Sequence, residues 1–302
     1  MSKKIKQAAT EIGFDGCGFC RADFLEEDAG FLNKWLQNGM HQDMHYMENH
    51  FEKRVNPAKL VEGAKSVISV FLNYYPSKIQ NKKNVPIISK YAYGEDYHFV
   101  IKNLLLKLLE KINREIAVVN GRAFVDSAPL LERALAREAG LGWIGKNTNL
   151  INPKFGSFIF LGELVIDLEL EYDKPLENKC GNCTKCLQAC PTKALIKPHV
   201  LNSQNCISYL TIEHKHNLPV ELSDKFNNII FGCDICQDVC PFNKKAKPNE
   251  ISQFQPKEEL LEMTVEQWHS IDKEHFDKLF SKSAVKRTKY NGLIRNLEFV
   301  KS

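Results

Sequence analysis

"CGNCTKCLQACP", residues 180–191, sets Cys180, Cys183, Cys186 and Cys190 in the order C-x2-C-x2-C-x3-C-P. Bacterial two-cluster ferredoxins use this run, and in them the fourth cysteine binds the other cluster. Zinc fits it poorly: tetrahedral zinc takes two C-x2-C pairs across a longer spacer, and a thiol three positions further on has no place in that geometry. A second run should follow, and "CDICQDVCP" supplies Cys233, Cys236 and Cys240 before Pro241, one ligand short. Cys206, alone in "LNSQNCISYLTIEH" between the runs, completes it. The accounting closes on two [4Fe–4S] clusters, one on Cys180, Cys183, Cys186 and Cys240, the other on Cys190, Cys206, Cys233 and Cys236.

Cys17 and Cys20, in "DGCGFCRAD", are left over. They read as small buried residues beside a Gly-rich helix-to-strand turn, or as a redox pair. The 302 residues suffice for one large domain and a smaller partner. The first thirty lack the apolar stretch of a signal peptide, and no twin-arginine start is present. No apolar run approaches the roughly 20 residues that span a bilayer. The expectation is a cytoplasmic monomer without a membrane segment, whose thiols stay reduced and serve as ligands. A net charge of +4 does not by itself indicate nucleic acid. Residues 279–302, however, carry Lys282, Lys286, Arg287, Lys289, Arg295 and Lys301 against Glu298, a basic stretch or a solvated helix face.

Around the cysteines the texture divides the chain into 1–172, 173–250 and 251–302. In the first part "AKSVISVFLNYY" and "SFIFLGELVIDLEL" are β-rich, and "YHFVIKNLLLKLLEKINREI" has apolar residues at helical spacing. "GRAFVDSAPLLERALAREAG" reads as a strand through Val125, a turn with Pro129 and a helix stopped by Gly140. "YDKPLENKC" is a linker, and the last part is helical and charged. "GLGWIG" (140–145) matches G-x-G-x-x-G but follows a helix and leads to a strand, the reverse of a dinucleotide fingerprint. His45 in "DMHYME" and His98 in "DYHFVI" begin like the D-x-H-x-x-G of corrinoid proteins without its glycine, so a corrinoid bound here would have no histidine on its lower face.

Taken together, "KRVNPAKLVEGAKSVISV", "ISKYAYGEDYH", "FVDSAPLLERALAREAGLGWIGKNTNLI", "CISYLTIEH" and the eight cysteines resemble the epoxyqueuosine reductase family over roughly residues 50–245. The resemblance implies an α+β chain: a cobalamin-binding α/β domain like that of reductive dehalogenases, a ferredoxin-like domain with two [4Fe–4S] clusters, and a short basic helical tail. It implies reduction of epoxyqueuosine to queuosine at the wobble position of tRNA, the last step in making that nucleoside, by cobalamin fed from the clusters and an external low-potential electron donor. It places the proton donor on Asp126, whose carboxyl, at the end of an apolar strand, is expected to be raised by desolvation. Arg54 matches an arginine near the corrin; Tyr97, His98, Lys146, Asn147, Ser208 and Thr211 are further candidate cofactor contacts. Basic residues near Lys286 and Arg287 would hold the tRNA backbone without reading sequence. Many family members continue into helical repeats, so the C-terminal tRNA surface is expected to be reduced here. The rival readings are a two-cluster electron-transfer protein and a reductive-dehalogenase-like corrinoid enzyme.

Overall fold

Residues Ser66–Asn73 and Ile159–Ile166 are apolar at most positions, and in the computed structural model, which describes residues 1–301, both are strands buried from end to end. In chain order the elements around them are α1 (Ser2–Ile12), β1 (Gly16–Arg21), α2 (Glu26–Gln37), α3 (Phe51–Arg54), β2 (Ser66–Asn73), β3 (Ile87–Ile88), α4 (Tyr97–Glu115), β4 (Gly121–Phe124), α5 (Glu132–Glu138), the hairpin of β5 (Trp143–Ile144) and β6 (Leu150–Ile151), and β7 (Ile159–Ile166). Then come α6 (Lys185–Ala189), β8 (Leu195–Lys197), β9 (Val200–Leu201), α7 (Ile207–Ile212), β10 (Ile229–Phe231), α8 (Ile235–Asp238), α9 (Glu258–Glu262), α10 (Val265–His269), α11 (Lys273–Leu279) and α12 (Lys289–Lys301).

The main sheet has the order β1-β2-β7-β4 and is antiparallel throughout. Successive side chains of a strand face opposite ways. Ile68, Val70 and Leu72 therefore join Leu164 and Ile166 against Ile5 of α1 and Leu105 and Leu108 of α4, while Val67 and Phe71 join Leu161 and Val165 against Leu135 and Ala136 of α5. Covering both faces explains why β2 and β7 read as continuous apolar runs. The fold is α+β, with helices on both sides of an antiparallel sheet.

The C-terminal helices do not stand apart. β10 pairs in parallel with β3, and Val85, Ile88 and Tyr93 share an apolar cluster with Trp268, Phe276, Leu293 and Leu297. That packing ties the approach to α4 to the end of the chain, and it brings Arg287 toward the region where α4 begins. Among the described residues no helix is long and apolar enough to cross a membrane.

Candidate active site

β4 ends at Phe124, and two residues later the chain turns through Asp126 at φ +47°, a left-handed conformation that Asp and Asn tolerate better than most side chains. The Asp126 backbone N–H donates to Glu132 Oε1 at the start of α5, which holds the turn. The carboxylate then faces the first turn of α4. There Asp96 caps the helix, accepting from the His98 backbone N–H at 3.1 Å, and its Oδ1 also meets His98 Nδ1 at 2.6 Å. His98 Nε2 lies 3.0 Å from Asp126 Oδ2.

With a carboxylate on each ring nitrogen, both nitrogens act as donors and the ring carries a positive charge. Burial alone would lower His98, but the bonds to Asp126 and Asp96 outweigh it and hold the imidazole up at about 9. Asp126 departs from the expectation of a raised carboxyl. Burial does push it up, yet the hydrogen bond and charge of His98, the Arg287 guanidinium and the Tyr97 hydroxyl together bring it below the usual carboxylate range. The proton near this site resides on His98. Asp126 remains reachable, its side chain 48% exposed although walled on several sides.

The walls are aromatic and basic. Tyr97 stacks on Phe160 at 4.2 Å and on His98 at 4.3 Å between centroids, and its hydroxyl meets Asp126. Arg54, buried at the end of α3, donates from Nη2 to the Tyr46 carbonyl at 2.8 Å, and its Nε has no partner. Arg287 pairs with Glu213 at 2.6 Å and stands 6.0 Å over the Tyr46 ring. Burial and the charge of Glu213 push the Tyr46 phenol up to about 12, so it stays protonated.

Behind the loop lies a second acidic pair. Glu163, fully buried in the middle of β7 opposite Ser69, feels the Glu132 carboxyl most strongly of its neighbours, and neither of its own carboxylate oxygens has a hydrogen-bond partner. Burial and then the charge of Asp126 raise Glu132 to about 7, and burial and the charge of Glu132 lift Glu163 well above its ordinary value. A proton in such a pair belongs to both. Neither residue stood out in the sequence; the available signal was one acid inside the otherwise apolar "FLGELVI".

The seven cysteines of the two runs and Cys206 sort into two neighbourhoods by the charges they feel. Burial raises each of Cys186, Cys206, Cys233, Cys236 and Cys240. Beyond burial, Cys240 is raised by Cys180 and Cys183, and Cys186 by Cys180 and Cys240. Cys206 is raised by Cys190, and Cys233 by Cys206 and Cys190. Cys236 is raised by Cys233 and Cys206 and more weakly by Cys186, so it lies on the side facing the other group. Soft thiol donors gathered four by four suit iron–sulfur chemistry. Cys17 and Cys20 lie within β1 rather than at a turn; three positions apart on a strand, they face opposite sides of the sheet, Cys17 toward the α1/α4 layer and Cys20 toward α5. Burial raises both thiols, Cys17 to about 12.

The remaining candidates part company. Lys146 Nζ donates to Gly181 O at 2.6 Å and Asn147 Nδ2 to Cys236 O at 3.3 Å, so the glycine turn grips the cysteine loops. Ser208 is half-buried, and its backbone N–H points to the Cys206 sulfur. Thr211 corrects the expectation of a cofactor contact: fully buried, its hydroxyl donates to Ile207 O at 2.7 Å and accepts from Gly232 N at 3.0 Å, fastening α7 to the residue after β10. His98 is likewise engaged with two carboxylates. The His45 side chain is 73% exposed and pairs loosely with Glu48.

Comparison with known proteins identifies relatives of the whole chain. The family profile described as epoxyqueuosine reductase QueG, DUF1730, matches residues 54–127, and the 4Fe-4S double cluster binding domain profile matches residues 179–243. A curated relative from Cellulophaga algicola, named epoxyqueuosine reductase, is 53% identical over 300 residues, covering 99% of this chain and 98% of that one. A selenomethionine-labelled epoxyqueuosine reductase crystal structure superposes with a TM-score of 0.92 at 32% identity, covering 99% of this chain and 80% of that one. Another, solved with an epoxyqueuosine-modified tRNA-Tyr stem loop, gives 0.88 at 32% identity over the same shares. At 53% identity over 99% of its length to a named member, the chain belongs to the epoxyqueuosine reductase family.

Proposed function

We propose that this oxidoreductase reduces epoxyqueuosine at the wobble position of tRNA to queuosine, the last step of that synthesis. The observation that carries the reading is Asp126, held on the His98 imidazolium in an accessible recess beside Arg54 and Arg287. Removing an epoxide oxygen to leave an alkene consumes two electrons and two protons and releases water. Cobalamin and two [4Fe–4S] clusters, once bound, supply the low-potential electrons. Cys180, Cys183, Cys186 and Cys240 would hold one cluster and Cys190, Cys206, Cys233 and Cys236 the other. The unpartnered Nε of Arg54 fits an amide or phosphate oxygen at the rim of a large polar cofactor, and Tyr97 lines the same recess. His98 has no free ring nitrogen to offer as an axial ligand.

The chain's own contribution is to proton delivery. Asp96 fixes the imidazole, His98 keeps a proton on Nε2 and passes it across the 3.0 Å hydrogen bond to Asp126, and Asp126 hands it to the departing oxygen. Arg287 faces tRNA phosphate at the mouth of the recess, and the flipped-out base enters it.

A raised imidazole has a signed consequence. His98 contributes stability fully below its unfolded value of roughly 6.5, and that contribution disappears as pH climbs through about 9. Turnover should fall across the same upper limb as the proton leaves. In His98→Gln the limb should vanish and the neutral-pH rate drop by roughly tenfold or more; an unchanged pH profile would remove His98 from the relay.

The reading is tested by anaerobic cluster reconstitution with added cobalamin, metal analysis, and mass spectrometry of epoxyqueuosine tRNA after incubation with a strong reductant. About eight irons and about one cobalt per chain, with product lighter by one oxygen, are expected. Iron without cobalt and no mass change would favour a two-cluster electron carrier.

A further inference from the structure

Electrons must reach the recess from outside, and the cysteine-rich part of the chain carries a marked charge asymmetry. Three segments converge on the neighbourhood of Cys180 and Cys240. Residues 174–198 contain the first cysteine run, residues 240–249 begin with Cys240, and residues 145–157 run from the turn after β5 through β6 and beyond it. Trp143, Ile151, Cys180, Cys240 and Phe242 pack as one cluster; Asn178 Nδ2 donates to Ile144 O, and Asn243 Oδ1 accepts from Ser157 N. The three segments hold ten lysines, no arginine and one acid, Glu177. Their net of nine positive charges exceeds the chain's net +4, so the rest of the molecule is negative by five. Lys154, Lys179, Lys185, Lys244 and Lys245 are exposed.

This basic face belongs to the outer of the two cysteine groups. The inner group includes Cys206, which opens α7, and α7 runs directly to Glu213, the partner of Arg287 at the Asp126 recess. Resting on the cluster assignment above, we infer that the lysine face around Cys180 and Cys240 docks an acidic one-electron carrier protein of the flavodoxin or ferredoxin type. Lysine-only patches offer mobile point charges and speed a salt-sensitive, short-lived encounter, and electron-transfer complexes occupy the small, weak end of interface sizes. RNA recognition would favour arginine forks and exposed aromatic platforms, which these segments lack. At each docking the reduced carrier would give up one electron to the centre that Cys180, Cys183, Cys186 and Cys240 would hold. Two dockings supply the two electrons that an epoxide, with two protons, consumes on becoming alkene and water.

The test uses the reconstituted full chain, a reduced acidic flavodoxin as probe, and the combined substitution Lys179→Glu, Lys185→Glu and Lys244→Glu. Carrier Kd, read by titration, should weaken by roughly tenfold or more and carrier-driven cluster bleaching should slow, whereas affinity for the tRNA stem loop and dithionite-driven turnover stay within about twofold. Lys107→Glu, on α4, should alter none of these. If charge reversal impairs folding, seen as lost iron or a lower Tm, Lys179→Gln with Lys244→Gln should still weaken the carrier in proportion. Unchanged carrier Kd would overturn the inference, as would a loss of stem-loop affinity with carrier binding intact, which would mark an RNA surface. Absence of dithionite-driven turnover in the unsubstituted enzyme would count against the reductase reading alone, since carrier Kd is measured without it.

Discussion

Asp126→Asn is expected to lower turnover by about 10²- to 10⁴-fold, the usual contribution of a positioned acid, while iron content and tRNA affinity hold. The substitution is nearly isosteric. Asn tolerates the φ of +47° at least as well as Asp, and its backbone N–H can still donate to Glu132. Its side-chain carbonyl can still accept from His98 Nε2, so the loop and the imidazole keep their places. What is lost is the ability to take a proton and give it up again. The imidazole also loses one of two carboxylate partners, so its affinity for a proton should fall from about 9 toward its ordinary value, which NMR of the His98 ring would read independently of turnover. Near-normal turnover in Asp126→Asn would remove Asp126 from the chemistry. Retained turnover with a shifted pH limb would instead leave His98 to protonate the substrate directly.

Much of this arrangement is visible in the sequence, and what is hidden is hidden for identifiable reasons. β2, β7 and α4 announce themselves because burial on one or both faces demands a regular apolar pattern, and the cysteine spacing is legible because cluster geometry constrains residues only a few positions apart. Asp126 could be singled out, but not its proton affinity. That depends on His98, 28 residues earlier, which the α4 cap and the end of β4 bring together only in the folded chain. Local reasoning counted desolvation and missed the opposing charge. Glu163 was hidden by its neighbours, since an apolar run masks the one acid within it. Thr211 shows the converse error: a polar residue near a cluster ligand is as readily consumed by helix-to-strand fastening as by a cofactor. The pairing of β3 with β10 was beyond reach because two- and three-residue strands carry no period.

The proposed crossing of the two cysteine runs makes the sharpest prediction. Sequence proximity would assign Cys190 to the centre of Cys180, Cys183 and Cys186, whereas the thiol neighbourhoods set Cys190 with Cys206 and Cys233, and Cys240 with Cys180 and Cys183. Cys190→Ala is therefore expected to reduce iron from about eight to about four per chain and to abolish turnover, because the group nearer the Asp126 recess is broken. Pairs of substitutions separate the two assignments. Cys190→Ala with Cys236→Ala removes two ligands from one crossed centre and should still leave about four irons. Cys190→Ala with Cys186→Ala takes one ligand from each and should leave close to none. Uncrossed centres would give the opposite result, with the Cys190/Cys186 pair retaining half the iron and the Cys190/Cys236 pair losing it all. Iron analysis after anaerobic reconstitution decides between them without recourse to activity, and the spectrum of the surviving centre in Cys190→Ala should match that in Cys236→Ala.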